Sequence, residues 1–248
     1  MKKILIAAAA LSALATSAFA ADLPARMPVK AAPMVPVQNW TGCYIGAGGG
    51  YGLWNQDHRT IDAAGVPVAP GFQTTTGGRG WFGTAQFGCD YQFDQNWLVG
   101  AFIDGNWGSL RGDFEDASFA GWGRERERWS WAGGGRVGYL IYPQLLGFVS
   151  AGYEAARFDQ INLSAGGAVT NIYPRHTYSG YFIGTGYEYK LTWLPGLTWK
   201  TEVRFADMGR DNLPLLTAAG LPTGFSMNSH KYEQTVRSEL VWRFNWWR

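Results

Sequence analysis

Tyr232-Glu233-Gln234-Thr235-Val236-Arg237-Ser238-Glu239-Leu240-Val241-Trp242-Arg243-Phe244-Asn245-Trp246 is the stretch that decides the fold. Tyr232, Val236, Leu240, Trp242, Phe244 and Trp246 share one parity. Glu233, Thr235, Arg237, Glu239, Arg243 and Asn245 share the other, interrupted only by Val241. A period of two belongs to a β-strand with unlike faces, one suited to hydrocarbon or core and the other to water or ion partners. The edge of a soluble sheet and a strand of a membrane barrel both fit that pattern, so the compartment has to choose between them.

The N-terminus supplies the compartment. Lys2 and Lys3, the apolar run from Ile4 to Ala15 and the Ala18-Phe19-Ala20 triplet predict an export signal over residues 1–20, cleaved between Ala20 and Ala21. That run is too short to cross a bilayer, and no other approaches the ~20 residues of a transmembrane helix. The 248 residues include 34 Gly, 13 Trp, 12 Tyr and 14 Phe, with a net charge of only +2. Near neutrality points away from nucleic acid. Aromatics for two interfaces and small residues for a crowded lumen are what a transmembrane barrel needs.

Residues 21–39 carry Pro24, Pro28, Pro33 and Pro36 without periodicity and are expected to be a flexible periplasmic linker. Its functional reading is a periplasmic tail that touches cell wall or another protein; a solvated leader to the first strand is the favoured one. From residue 40 onward, alternation predicts strands over Trp40–Leu53, Trp81–Phe93, Trp97–Trp107, Arg126–Tyr142, Leu145–Phe158, Thr177–Lys190, Leu197–Asp207 and the C-terminal stretch. The fold expected for 40–248 is an all-β, eight-stranded, antiparallel up-and-down barrel. Its connections alternate. Those at 94–96, 142–144 and 191–196 are short, whereas 54–79, 108–125, 159–176 and 208–230 are long and polar, the asymmetry of periplasmic turns against external loops.

That topology sorts the aromatics into two bands. Trp40, Tyr91, Trp97, Tyr139, Tyr142, Tyr189, Trp193, Trp199, Trp242 and Trp246 fall at the short-turn end. Tyr51, Trp81, Trp107, Trp129, Trp131, Tyr178, Tyr181 and Tyr232 fall at the long-loop end.

Several short motifs also carry a resemblance: Trp40-Thr41-Gly42-Cys43-Tyr44-Ile45-Gly46, Gln86-Phe87-Gly88-Cys89-Asp90-Tyr91-Gln92, the Gly-x-Gly-x-Glu-Tyr ending at Tyr189, Asp207-Met208-Gly209 and the leader Ala21-Asp22-Leu23-Pro24. As a set they resemble the small outer-membrane immunogenic proteins of rhizobia and brucellae. The resemblance implies an eight-stranded barrel related to the transmembrane domain of outer-membrane protein A, assembled by the barrel assembly machinery and surrounded by outer-membrane lipid and lipopolysaccharide. One departure is the ending Trp246-Trp247-Arg248, where such barrels end on an aromatic residue or a short apolar tail.

The histidines are the residues on which chemistry could rest. His176 lies near Ser179, and His230 follows Ser229 and precedes Glu233, a spacing that admits a lipid-modifying Ser-His arrangement without an evident oxyanion donor. His58, His176 and His230 also admit an external metal or haem contact, as the resemblance suggests. Solvated loop histidines are the favoured reading, with no catalytic residue, cofactor or metal assigned. The run Arg124-Glu125-Arg126-Glu127-Arg128 reads either as a site for lipopolysaccharide phosphates or as a solvated strand extension with alternating ion pairs; the second is favoured.

Asp104, Arg136, Glu154, Glu188, Lys200, Glu202, Arg204, Arg237, Glu239 and Arg243 take the inward parity. An eight-stranded barrel is only wide enough for side chains to fill it. Buried charges must then pair, so a salt-bridged plug is expected rather than an ion path, and a structural envelope barrel rather than a small porin. Finally, the exported chain permits oxidation. Setting Cys43 opposite Cys89 places Ile45 opposite Phe87, Ala47 opposite Ala85 and Tyr51 opposite Trp81, all outward, and predicts a disulfide between the first two strands.

Overall fold

The computed structural model describes residues 39–244; the signal segment with its Ala20 and Ala21, nearly all of the linker, Trp246 and the terminal Arg248 lie outside them. Ten antiparallel strands follow: β1 (Gly42–Ile61), β2 (Thr74–Gln92), β3 (Trp97–Asp116), β4 (Gly121–Tyr142), β5 (Leu145–Phe158), β6 (Ile161–Ala165), β7 (Ala168–Tyr173), β8 (His176–Lys190), β9 (Leu197–Thr217) and β10 (Pro222–Phe244). Eight of them close a ring in the order β1-β2-β3-β4-β5-β8-β9-β10, and β10 returns to pair with β1. Closure leaves no unpaired edge, the condition for a sheet to survive in hydrocarbon.

The outward parity carries Ile45, Phe87, Val99, Ile103, Val149, Ile183, Val203 and Leu240, each exposed on the barrel wall. Trp97, Tyr139, Tyr189, Trp199 and Trp242 ring the short-turn end; Trp81, Trp107, Trp131, Tyr153 and Tyr181 ring the other. Two members of the expected bands lie elsewhere. Trp40 precedes β1 and tucks into the mouth, where it joins Leu98, Leu140 and Leu146 in a buried apolar cluster. Tyr178 has the inward parity of β8 and is fully buried.

The strands run past the membrane boundary. About 9–11 residues suffice for a tilted strand to cross, whereas β10 has 23 and β9 has 21. The expected loops 54–79, 108–125 and 208–230 are therefore mostly ladder. The true connections are Asp62 to Gln73, Ala117 to Ala120 and Ala218 to Leu221. Outward apolar alternation stops where lipid stops, so it marks the membrane span and not the strand end. Beyond it, the inward face keeps its own core.

The 159–176 connection holds the β6–β7 hairpin. Gly166 and Gly167 both have positive φ, at 60° and 87°, the geometry of a two-residue hairpin turn whose twist matches its strands. β6 reaches β4 through Trp122↔Ser164, and β7 reaches β9 through Ile172↔Leu216. The hairpin thus extends the wall where the β5–β8 ladder stops, keeping a closed sheet above the membrane.

Candidate functional site in the barrel lumen

The predicted disulfide forms. Cys43 faces Cys89 in register, with Ile45 opposite Phe87, Ala47 opposite Ala85 and Tyr51 opposite Trp81. Tyr51 and Trp81 meet edge to face at 4.9 Å.

Inside, the residues stack in layers. Nearest the short-turn end, Trp40 donates its backbone N–H to Gln92 Oε1 at 2.9 Å and lies under the guanidinium of Arg243, 4.8 Å from its ring centre. Above it stands a four-membered square. Arg136 donates Nε to Asp90 Oδ1 at 2.8 Å and Nη1 to Glu188 Oε2 at 3.1 Å. Arg243 donates Nη1 to Asp90 at 2.8 Å and both Nε and Nη2 to Glu188. Thr198 completes the Glu188 shell with a 2.6 Å hydroxyl bond. Asp90, outside the expected charge network, has the inward parity of the second strand. Its neighbours are Cys89 and Tyr91, and their outward alternation was its signal.

The next layer centres on Lys200, whose Nζ lies 3.1 Å from Glu202 and 3.5 Å from Glu239 and donates to Gln86 at 2.8 Å. Ser150 donates to the other oxygen of Glu202 at 2.6 Å. Above that, Arg204 and Arg237 share the Asp104 carboxylate, each at 2.8 Å, and Arg204 also approaches Glu154 at 3.6 Å. All ten residues of the expected charge network therefore lie buried in the lumen. In a low-dielectric interior such pairs are costly to break, about 3–5 kcal/mol when one partner is removed.

Higher still, the lumen holds further charged and aromatic groups, of which Trp54 and Glu125 fell in the expected loops 54–79 and 108–125. Glu127, Glu154 and Glu233 are buried, each with one carboxylate oxygen that lacks a hydrogen bond. Lys231 donates to Glu125 at 2.7 Å and sits among three aromatic faces, 4.3 Å from the ring centre of Trp54, 3.9 Å from Phe158 and 4.9 Å from Tyr178. Such cation–π contacts strengthen when desolvated. The remaining space is apolar: Phe114, Ile161, Leu163, Tyr173, Leu213, Leu215 and Met227 fill it, with Phe119 and Phe225 packed edge to face at 5.3 Å. The layers leave both ends of the lumen filled by side chains.

The charge run at 124–128 divides between the faces. Glu125 and Glu127 point inward, whereas Arg124 and Arg128 are exposed. A register shift between Glu127 and Trp129 turns Arg128 outward, although it shares the even numbering of the inward-facing Ser130 and Arg136.

The histidines do not form one site. His58 belongs to β1, not to a solvated loop; it is buried, stacks on Phe114 at 4.5 Å and donates Nε2–H to the Glu115 carbonyl at 3.0 Å. Burial pushes its pKa below the ordinary histidine value, against the pull of the Glu115 carbonyl and the Asp116 carboxylate. His230 points outward to Asp207 Oδ1 at 2.7 Å, while Ser229 points inward and bonds the Tyr178 hydroxyl at 3.1 Å. Strand alternation thus separates the Ser-His pair that sequence adjacency suggested. His176 lies 3.0 Å from Asp211. No group of three or more His, Cys, Asp or Glu arranged to hold a metal occurs among the described residues.

No family model matches the chain. The 31 kDa outer-membrane immunogenic proteins of Brucella melitensis biotype 1 and Brucella suis biovar 1 are each 28% identical to it over 250 residues, 98% of this chain and 100% of theirs. Among solved structures, the outer-membrane protein OprG of Pseudomonas aeruginosa superposes with a TM-score of 0.53 at 10% identity, over 84% of this chain and 99% of that one. Together with the closed ring and its two aromatic bands, these likenesses make the chain an eight-stranded outer-membrane β-barrel, similar along its whole length to the outer-membrane immunogenic proteins of Brucella.

Proposed function

We propose that the chain is a structural barrel of the outer membrane that contributes to envelope integrity and presents its long-loop end at the cell surface, without catalysis and without steady solute flow. The observation that carries this reading is the filled lumen. Arg136, Arg243, Asp90 and Glu188 span the bore and satisfy one another, so no charged group there is free to solvate a passing ion. Trp40 seals one end, and the Trp54, Phe114 and Phe158 core fills the other.

The rival reading is a small solute channel, and planar-bilayer recording separates the two. Purified barrel should give a closed trace or brief, weak openings. A large, steady open current from the unmodified protein overturns the structural reading. The catalytic alternative is tested by analysis of lipid A after deletion of the gene; an altered acylation or phosphate pattern restored by the intact gene would establish it.

A further inference from the structure

Just beyond the band formed by Trp81, Trp107 and Trp131, the outer wall carries a row of like charges. Arg79 of β2 lies directly opposite Arg111 of β3, and Arg111 lies directly opposite Arg126 of β4. Directly opposed like charges destabilise a sheet, and three in line compound the effect. None of the three has an ion-pair partner among the described residues. Arg111 donates only to Ser109, at 2.8 Å, and the enclosed Nε of Arg126 has no acceptor.

The acidic residues of this face do not relieve the row. Asp113 stands one layer further from the membrane and approaches Arg124 at 3.7 Å; Asp159 approaches Arg128 at 3.9 Å. Arg128 lies two residues nearer the membrane on β4 and is cationic as well, so the outward charges closest to the hydrocarbon on β2 to β4 are all arginines. Beside the row, Gly77, Gly78 and Gly112 border a shallow hollow of about 320 Å³, with Leu53, Arg79 and Arg111 on its rim and Asp113 at its edge.

We propose that the Arg79–Arg111–Arg126 row binds the phosphate groups of an anionic outer-leaflet lipid whose acyl chains lie against Trp81 and Trp107 below. Arg79 stands two residues beyond Trp81 and Arg111 four beyond Trp107, which along tilted strands puts their guanidiniums roughly 5 to 10 Å above those rings. That is headgroup height, and a planar guanidinium fork matches phosphate oxygens in a bidentate manner. The bound phosphate supplies the counter-charge that the protein omits.

The test uses the full folded chain in zwitterionic micelles, titrated with phosphorylated lipid A, with lipid A stripped of phosphate, and with inorganic phosphate alone. Phosphorylated lipid A should raise the melting temperature, and the other two probes should not. The triple variant R79Q/R111Q/R126Q should bind about tenfold or more weakly, and its affinity should lose most of its salt dependence. The pair R124Q/R128Q should bind as the unmodified chain does. In micelles without lipid A, Arg111→Gln should leave stability unchanged or raised, because it removes repulsion; this single variant carries the same comparison if the triple one fails to fold. Equal binding by the Arg111→Gln or triple variant, or an equal shift from dephosphorylated lipid A, overturns the proposal. So does a shift that inorganic phosphate reproduces, which would mean a free-anion site.

Discussion

Arg243 of β10 holds Glu188 of β8 through two hydrogen bonds of 2.8 Å, across the strand that separates them. The pair therefore spans β9 and does not merely staple two neighbours, while the Arg243 bond to Asp90 of β2 carries the same square across the closing β10–β1 seam. Glu188 also receives Arg136 and Thr198, so its removal takes one of two carboxylate partners from both guanidiniums and leaves each with Asp90 alone.

Glu188→Gln should accordingly cost about 3–5 kcal/mol. The readout is the temperature at which the folded, fast-migrating gel species converts to the unfolded one. An unchanged conversion temperature would mean that the square does not hold the bore. The same variant in planar bilayers should open more often than the unmodified chain, because Arg136 and Arg243 are then pinned by Asp90 alone.

The disulfide yields a second expectation. It joins residues 46 apart, and a bridge of that reach typically contributes about 2–4 kcal/mol. Thiol titration of unreduced, denatured protein should find no reactive sulfhydryl. The double variant C43S/C89S should still fold, because Ile45, Phe87, Tyr51 and Trp81 keep the register, but it should melt earlier. Two titratable thiols in the unmodified chain would remove the bond.

His58 makes the surface end sensitive to acid. Its folded pKa lies below the unfolded value of 6.5 because burial disfavours the imidazolium. The neutral form is the one that folds best: Nε2–H is already donated to Glu115 and Nδ1 has no acceptor. The stability is therefore complete above the unfolded value and falls as the pH drops through it towards the lower, folded value. Melting followed from pH 8 to pH 5 should show this loss, and His58→Phe should flatten it. A variant with the same pH profile as the unmodified chain would put the acid sensitivity elsewhere.

Limited proteolysis tests the orientation. The connection from Asp62 to Gln73 is the long exposed segment at the long-loop end, whereas 208–230 is mostly ladder. Protease added to intact cells should cut first within 62–73 and spare 208–230. Cleavage there only after permeabilisation would invert the barrel.

A strand needs only its neighbours' parity to reveal which face meets lipid, and that information is local. Tyr232 to Trp246 and its counterparts therefore announced an eight-stranded barrel, its short turns, its Cys43–Cys89 register and the inward set from Asp104 to Arg243 in the sequence itself. Lipid solvates one face uniformly, so apolar residues must recur at every second position wherever it touches. Above the membrane that rule lapses. Trp54, His58, Phe114, Glu125 and Lys231 sit in segments with no lipid to enforce alternation, and only the closed wall shows that they form a buried core with a caged lysine. The same limit hid the Trp40 plug and the separation of Ser229 from His230. It hid the row of Arg79, Arg111 and Arg126 as well, because three arginines from three strands become one surface only when cross-strand register sets them side by side.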